Sequence, residues 1–156
     1  MTQSITHHDR FVIDRHFDAP LALVYAAFST PEGKARWFGG STQWKPDKRE
    51  FDFRVGGHER LAGRWADGTQ SDFQATYHNI VPLQRLVYAY SMFVNEQLLS
   101  VSLSTVELRT EGKGTHLVYT EQVAFLDNLD NMESRESGTK QLFEQLAASL
   151  KSAAAA

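Results

Sequence analysis

A single acid among apolar neighbours is the residue best placed to do chemistry. Glu121 alternates with Leu117, Tyr119, Val123 and Phe125. In a strand such residues share one face, so Glu121 is expected on the buried side. A carboxylate there is costly unless hydrogen-bonded, and burial is the usual way to tune one for general acid or base work. Glu121 is therefore the candidate catalytic residue. Two plainer roles compete: a structural carboxylate paired with an arginine such as Arg135 or Arg60, or a ligand contact. Tyr77, Tyr88, Tyr90 and Tyr119 fall on the expected inward faces of three strands, with Phe73 and Met92 among them. Tyrosine joins an apolar body to one polar tip, which suits either ordinary core or a pocket that orients an amphipathic ligand. Trp37, Phe38 and Trp65 either rim such a pocket or cap the sheet. Phe53 alternates with Asp52 and Arg54, which are expected outside as a salt-bridged pair.

Arg135, Thr139 and Leu142 complete the candidate ligand contacts, and they lie on the element that must cover the sheet. Residues 127–151 carry Leu129, Met132, Leu142, Phe143, Leu146, Ala147 and Leu150 at helical spacing. Asp127 or Asn128 is expected to cap this helix, with Asp130 and Glu133 at its positive end. The apolar stripe breaks at Arg135, Glu136 and Thr139, beside Gly138. Either the helix leaves the protein edge there, or the polar interruption overlooks a partly wet cavity between helix and sheet.

The remaining elements follow from changes of period. Residues 11–17 alternate as a strand after a loose lead-in, and 18–20 open a helix that stops near Pro31. A short second helix over 32–38 carries Trp37 and Phe38. From Arg49 onward the period is two, giving strands near 51–55, 58–66, 71–80, 85–94, 98–109 and 115–125. Asp67-Gly68, Pro82, Asn95-Glu96 and Glu111-Gly112-Lys113-Gly114 punctuate them. The expected fold class is α+β: an antiparallel sheet of about seven strands covered by one long helix, as a single domain with flexible ends (1–9 and 152–156).

Composition narrows the function classes. The chain has 156 residues, 42% hydrophobic and 12% aromatic, with ten phenylalanines. A formal charge of −3 leaves no footprint for nucleic acid, and no apolar run is long enough for membrane insertion. The N-terminus lacks an apolar signal core and cysteine is absent, which together suit a cytoplasmic location. His58, His78 and His116 sit in different strands without ligand spacing, so no metal is expected, and no cofactor fingerprint occurs. Gly112-Lys113-Gly114-Thr115 joins two strands and reads as a hairpin turn rather than a phosphate loop.

Several motifs in order carry a family likeness. These are Phe17-Asp18-Ala19-Pro20, Val24-Tyr25-Ala26-Ala27-Phe28, Pro31 with 34–39, and Asp52-Phe53-Arg54-Val55-Gly56-Gly57. Residues 80–88, Gly114-Thr115-His116-Leu117 and Thr120-Glu121-Gln122 extend it. Over residues 10–150 the chain resembles the START-related, birch-pollen-allergen-like (SRPBCC) superfamily. It is most similar to the branch named after the C-terminal domain of the activator of heat-shock-protein-90 ATPase. The resemblance implies a helix-grip fold, a curved sheet wrapped round the C-terminal helix with a cavity between. It also implies a small hydrophobic or amphipathic molecule as partner. A cyclase or dehydratase using the same cavity is the alternative, and a co-chaperone that stimulates a chaperone ATPase is a third. The likeness to the eukaryotic co-chaperone covers only this domain, which sets a chaperone partner last. Exposed edge strands leave a homodimer open.

Overall fold

The computed structural model describes residues 3–39 and 42–155. Strand β1 (Thr6–Phe17) leads into helices α1 (Leu21–Ser29) and α2 (Pro31–Ala35). Six strands then follow: β2 (Trp44–Phe51), β3 (His58–Trp65), β4 (Gln70–Val81), β5 (Arg85–Val94), β6 (Gln97–Glu111) and β7 (Gly114–Leu126). The long helix α3 (Met132–Ala155) closes the chain. The seven strands form one antiparallel sheet in the order β1-β7-β6-β5-β4-β3-β2. Every step from β2 to β7 is a hairpin, and only β1 crosses to pair with the last strand. This is the expected α+β helix-grip architecture.

Four boundaries differ from the sequence reading, each for a local reason. The first strand begins at Thr6, because His7, His8, Asp9 and Arg10 continue the ladder opposite Gln122–Phe125. Polar side chains hid this extension, since both faces of the edge strand meet water there. The second strand begins at Trp44 and ends at Phe51, with Pro46 beside a register shift at the sheet edge. Residues 52–57 form a turn instead, held by Gly57 N–H donating to the Arg54 carbonyl. Helix α2 stops at Ala35, so Trp37 and Phe38 lie in the turn after it. The last helix starts five residues later than the expected cap. Asp127 and Asn128 take φ of 53° and 57°, a left-handed turn these two residue types tolerate. Asn131 is the actual cap, its Oδ1 accepting from Ser134 N–H at 2.9 Å.

The core sits toward one end of the sheet. Phe143, Leu146 and Leu150 of α3 pack with Val24 and Phe28 of α1 and with Phe11, Ile13, Leu108 and Leu117 of the sheet. The fully buried members from α3 run from Phe143 to Leu150, with Met132, Leu142 and Ala147 partly buried against the cluster. The N-terminal half of α3 carries the interrupted stripe and stands over the other end of the sheet, where the interior is not filled by apolar side chains alone. Among the described residues, no helix is long and apolar enough to cross a membrane.

Candidate functional site

One bulge decides which side chains enter the interior. The hairpin between β5 and β6 turns at Asn95-Glu96, both with positive φ, and Val94 pairs with Gln97. Continued without interruption, that register would set Val101 opposite Tyr90 and Leu103 opposite Tyr88. A shift between Met92 and Phe93 instead pairs Met92 with Ser100, Tyr90 with Ser102 and Tyr88 with Ser104. One extra residue inverts every later side chain. Ser100, Ser102 and Ser104 are therefore buried, while Val101 and Leu103 are 43% and 41% exposed on the outer face.

The small serines leave room for a charged cluster. Glu121 is fully buried, at 0% exposure. Its Oε1 accepts from the Tyr119 hydroxyl at 2.6 Å. Its Oε2 accepts from Tyr90 OH and Ser102 Oγ, each at 2.7 Å, and from Arg135 Nη1 at 3.1 Å. Arg135 Nη1 also donates to Tyr90 OH, and its Nη2 donates to Ser100 Oγ at 2.7 Å and Asp130 Oδ2 at 3.0 Å. Burial by itself would lower the Arg135 pKa; Tyr90, Glu121 and Asp130 outweigh it and hold the guanidinium above its ordinary value. Arg135 is thus the arginine partner of Glu121. Arg60 makes a two-pronged bond to Asp72 across β3 and β4 instead.

A second buried pair lies across the sheet. Lys34, on the short helix α2, places Nζ 3.1 Å from Glu59 Oε1, with side chains 7% and 4% exposed. Tyr77 OH donates to the same oxygen at 2.6 Å. The ammonium stands 5.4, 4.8 and 6.0 Å from the ring centres of Trp37, Phe38 and Phe51. Thr30 caps the helix through Gly33 N–H and so fixes where Lys34 emerges. Burial, first of all, raises the pKa of Tyr77, Tyr88, Tyr90 and Tyr119, with the nearby carboxylates or phenols adding to it. All four stay neutral phenols at neutral pH.

Between the two pairs is a cavity of about 510 Å³, within the range of small-molecule sites. Its walls are mainly apolar, and they join the first half of α3 to β3, β4 and β5. Trp37, Phe73, Tyr88, Tyr90, Met92 and Tyr119 line it, as do Arg135, Thr139 and Leu142. Phe38 and Trp65 also border it, Trp65 at 41% exposure. Three candidate contacts are placed elsewhere. Phe53 packs against Tyr25, Phe51 and Tyr77. Tyr77 sits behind Glu59, and Glu121 is enclosed by its four donors, so neither reaches the cavity wall. Asp52 and Arg54 pair on the outside at 2.9 Å.

Lys34, Glu59 and the three serines escaped the sequence reading. Glu59 shares strand parity with buried Leu61, a signal that was available. Ser100, Ser102 and Ser104 alternate with apolar residues, and only the bulge reveals which set is inside. The break in the α3 stripe does coincide with the cavity: Arg135, Gly138 and Thr139 all border it. A methyl group added at Gly138 would meet no atom within 4 Å.

Comparison with known proteins agrees with this architecture. The family model described as "Activator of Hsp90 ATPase homolog 1-like protein" matches residues 18–155. A solved structure from Rhizobium leguminosarum is 39% identical, with a TM-score of 0.92 over 96% of this chain and 99% of that one. The Mll3558 protein from Rhizobium loti is also 39% identical, with a TM-score of 0.87 over 94% and 99%. An AHSA1-like protein from Aeromonas hydrophila shares the fold at 20% identity and a TM-score of 0.71, covering 94% of each chain. No curated protein matches the chain.

Proposed function

Since this chain belongs to the Activator of Hsp90 ATPase homolog 1-like family, a set of helix-grip domains within the SRPBCC superfamily, we propose that it binds a small hydrophobic or amphipathic molecule in the cavity under α3. One observation carries the reading: the helix stripe is interrupted where the cavity opens, so the interior there is neither packed nor closed by α3. A helix evolved only to cover a sheet would continue its apolar face, because each buried apolar side chain adds about 1.5–3 kcal/mol. Here Arg135, Gly138 and Thr139 stand in that place.

The polar fittings suit binding. Tyr88 and Tyr90 line the hollow, and the Tyr90 hydroxyl is held by Glu121 and Arg135. Trp65 and Gly138 sit at its outer rim, so entry needs no unfolding of the sheet. Proton transfer through Glu121 gains no support from this geometry, since its oxygens are occupied by four donors, three of which (Tyr90, Tyr119 and Arg135) themselves form the cavity wall.

Thermal unfolding in the presence of acyl and aromatic compounds tests the reading. At least one class should raise the midpoint of the wild-type protein, and Gly138→Phe, which projects a ring into open space, should abolish the rise. A folded wild-type protein that no compound stabilises, and that carries no copurifying small molecule by native mass spectrometry, would overturn it.

A further inference from the structure

The two ion pairs beside the cavity differ in what they have left over. Arg135 spends both terminal nitrogens on Tyr90, Glu121, Ser100 and Asp130. Its surroundings hold one cation against two carboxylates, Glu121 and Asp130. Lys34 has three N–H donors; among the described residues one goes to Glu59, and the ammonium lies beside the Trp37 and Phe38 rings at the cavity wall. Its surroundings hold two cations against one carboxylate, because Arg49 also acts on Glu59 while its Nη2 donates to the Phe38 carbonyl at 2.9 Å. One end of the cavity is therefore electron-rich and saturated. The other is cationic and has donors to spare.

Resting on the cavity reading above, we propose that Lys34 is the anchor for a carboxylate, and that the ligand is an elongated monocarboxylic acid. Its headgroup meets the Lys34 ammonium beside Phe38. Its apolar body runs past Phe73 and Met92 toward Leu142, away from water. A charge-assisted hydrogen bond inside an apolar enclosure is stronger than a neutral one, so the acid gains over the matching alcohol. Asp130 and Glu121 at the far end disfavour the reversed orientation. An amine headgroup has no partner at Lys34 and is repelled there.

The test uses decanoate, decanol and decylamine, three probes with one apolar body and different heads. Isothermal titration of the wild-type protein should rank decanoate about tenfold or more tighter than decanol, and decylamine should show no contact between its head and the Phe38 ring. The paired change Lys34→Met with Glu59→Gln removes both charges together and should bring decanoate down to the level of decanol. On the wild-type protein alone, nuclear Overhauser contacts from the decanoate carbon next to the carboxylate should reach the Phe38 and Trp37 rings. Equal binding of acid and alcohol, or contacts to Tyr90 and Thr139 instead, would overturn the anchor and leave the cavity reading standing. Binding of none of the three to folded protein would count against both.

Discussion

Two buried carboxylates face this interior from opposite flanks of the sheet, and they are treated in opposite ways. Glu121 receives four hydrogen bonds from Tyr90, Ser102, Tyr119 and Arg135, contributed by three strands and α3. Among the described residues, Glu59 receives two on one oxygen, from Lys34 and Tyr77. The first cluster ties the start of α3 to the sheet and has no capacity for anything further. The second joins a five-residue helix to β3 and places the Lys34 ammonium at the cavity wall. A saturated buried network specifies a unique arrangement, whereas a partly committed one is available to a ligand. Burial and charge alone would rank the two pairs together; counting donors separates them.

That contrast can be broken by substitution. Arg135→Met leaves Glu121 buried without its cation and should cost about 3–5 kcal/mol in urea unfolding, detaching the first turns of α3. Lys34→Met should cost less, about 2 kcal/mol, because Arg49 remains near Glu59 and can relax toward it. Equal losses in the two variants would mean the clusters are equivalent, against the distinction drawn here.

The tyrosines sharpen the comparison through pH. Tyr90 and Tyr119 donate to Glu121, and Tyr77 donates to Glu59. Their folded-state pKa values lie above the unfolded value of about 10, so their contribution is complete below pH 10 and is lost as pH rises beyond it. Stability should fall by up to about 1.4 kcal/mol per tyrosine for each pH unit above 10, and phenolate absorbance should appear together with unfolding. Phenolate absorbance that rises smoothly before unfolding would show these hydroxyls to be loosely held. The smallest effect is expected at the opening itself. Gly138→Ala should stabilise α3 by roughly 0.5–1 kcal/mol, since the helix gains a better former and the methyl group meets nothing. A loss there would mean that the space is filled in solution.

Much of the architecture could be read before any coordinates. The period-two segments from 58 to 125 and the turn signals at Gly68, Asn95 and Gly112 placed five hairpin strands within a few residues. Ends were harder. The N-terminal turn of α3 was misplaced because Asp127 and Asn128 are good caps and equally good left-handed turn residues, and no local rule chooses between those roles. The extension of β1 to Thr6 was hidden because an edge strand with polar side chains carries no hydrophobic period. Among the candidate contacts, Trp37, Tyr88, Tyr90 and Arg135 line one cavity, but Phe53, Tyr77 and Glu121 stand behind its wall.

Periodicity and turn chemistry were enough to specify an antiparallel sheet with one long helix to cover it, and the broken stripe of residues 132–142 marked where that cover turns polar, because these are properties of neighbours along the chain. Which residues meet in the gap was settled only by pairing between strands. A single extra residue at the β5–β6 bulge turns three serines inward and two aliphatic side chains outward, and no count along one strand can register an event that exists only between two. The partnership of Lys34 with Glu59 has the same origin: 25 residues apart in sequence, they come together because the Lys34 side chain reaches from α2 to β3.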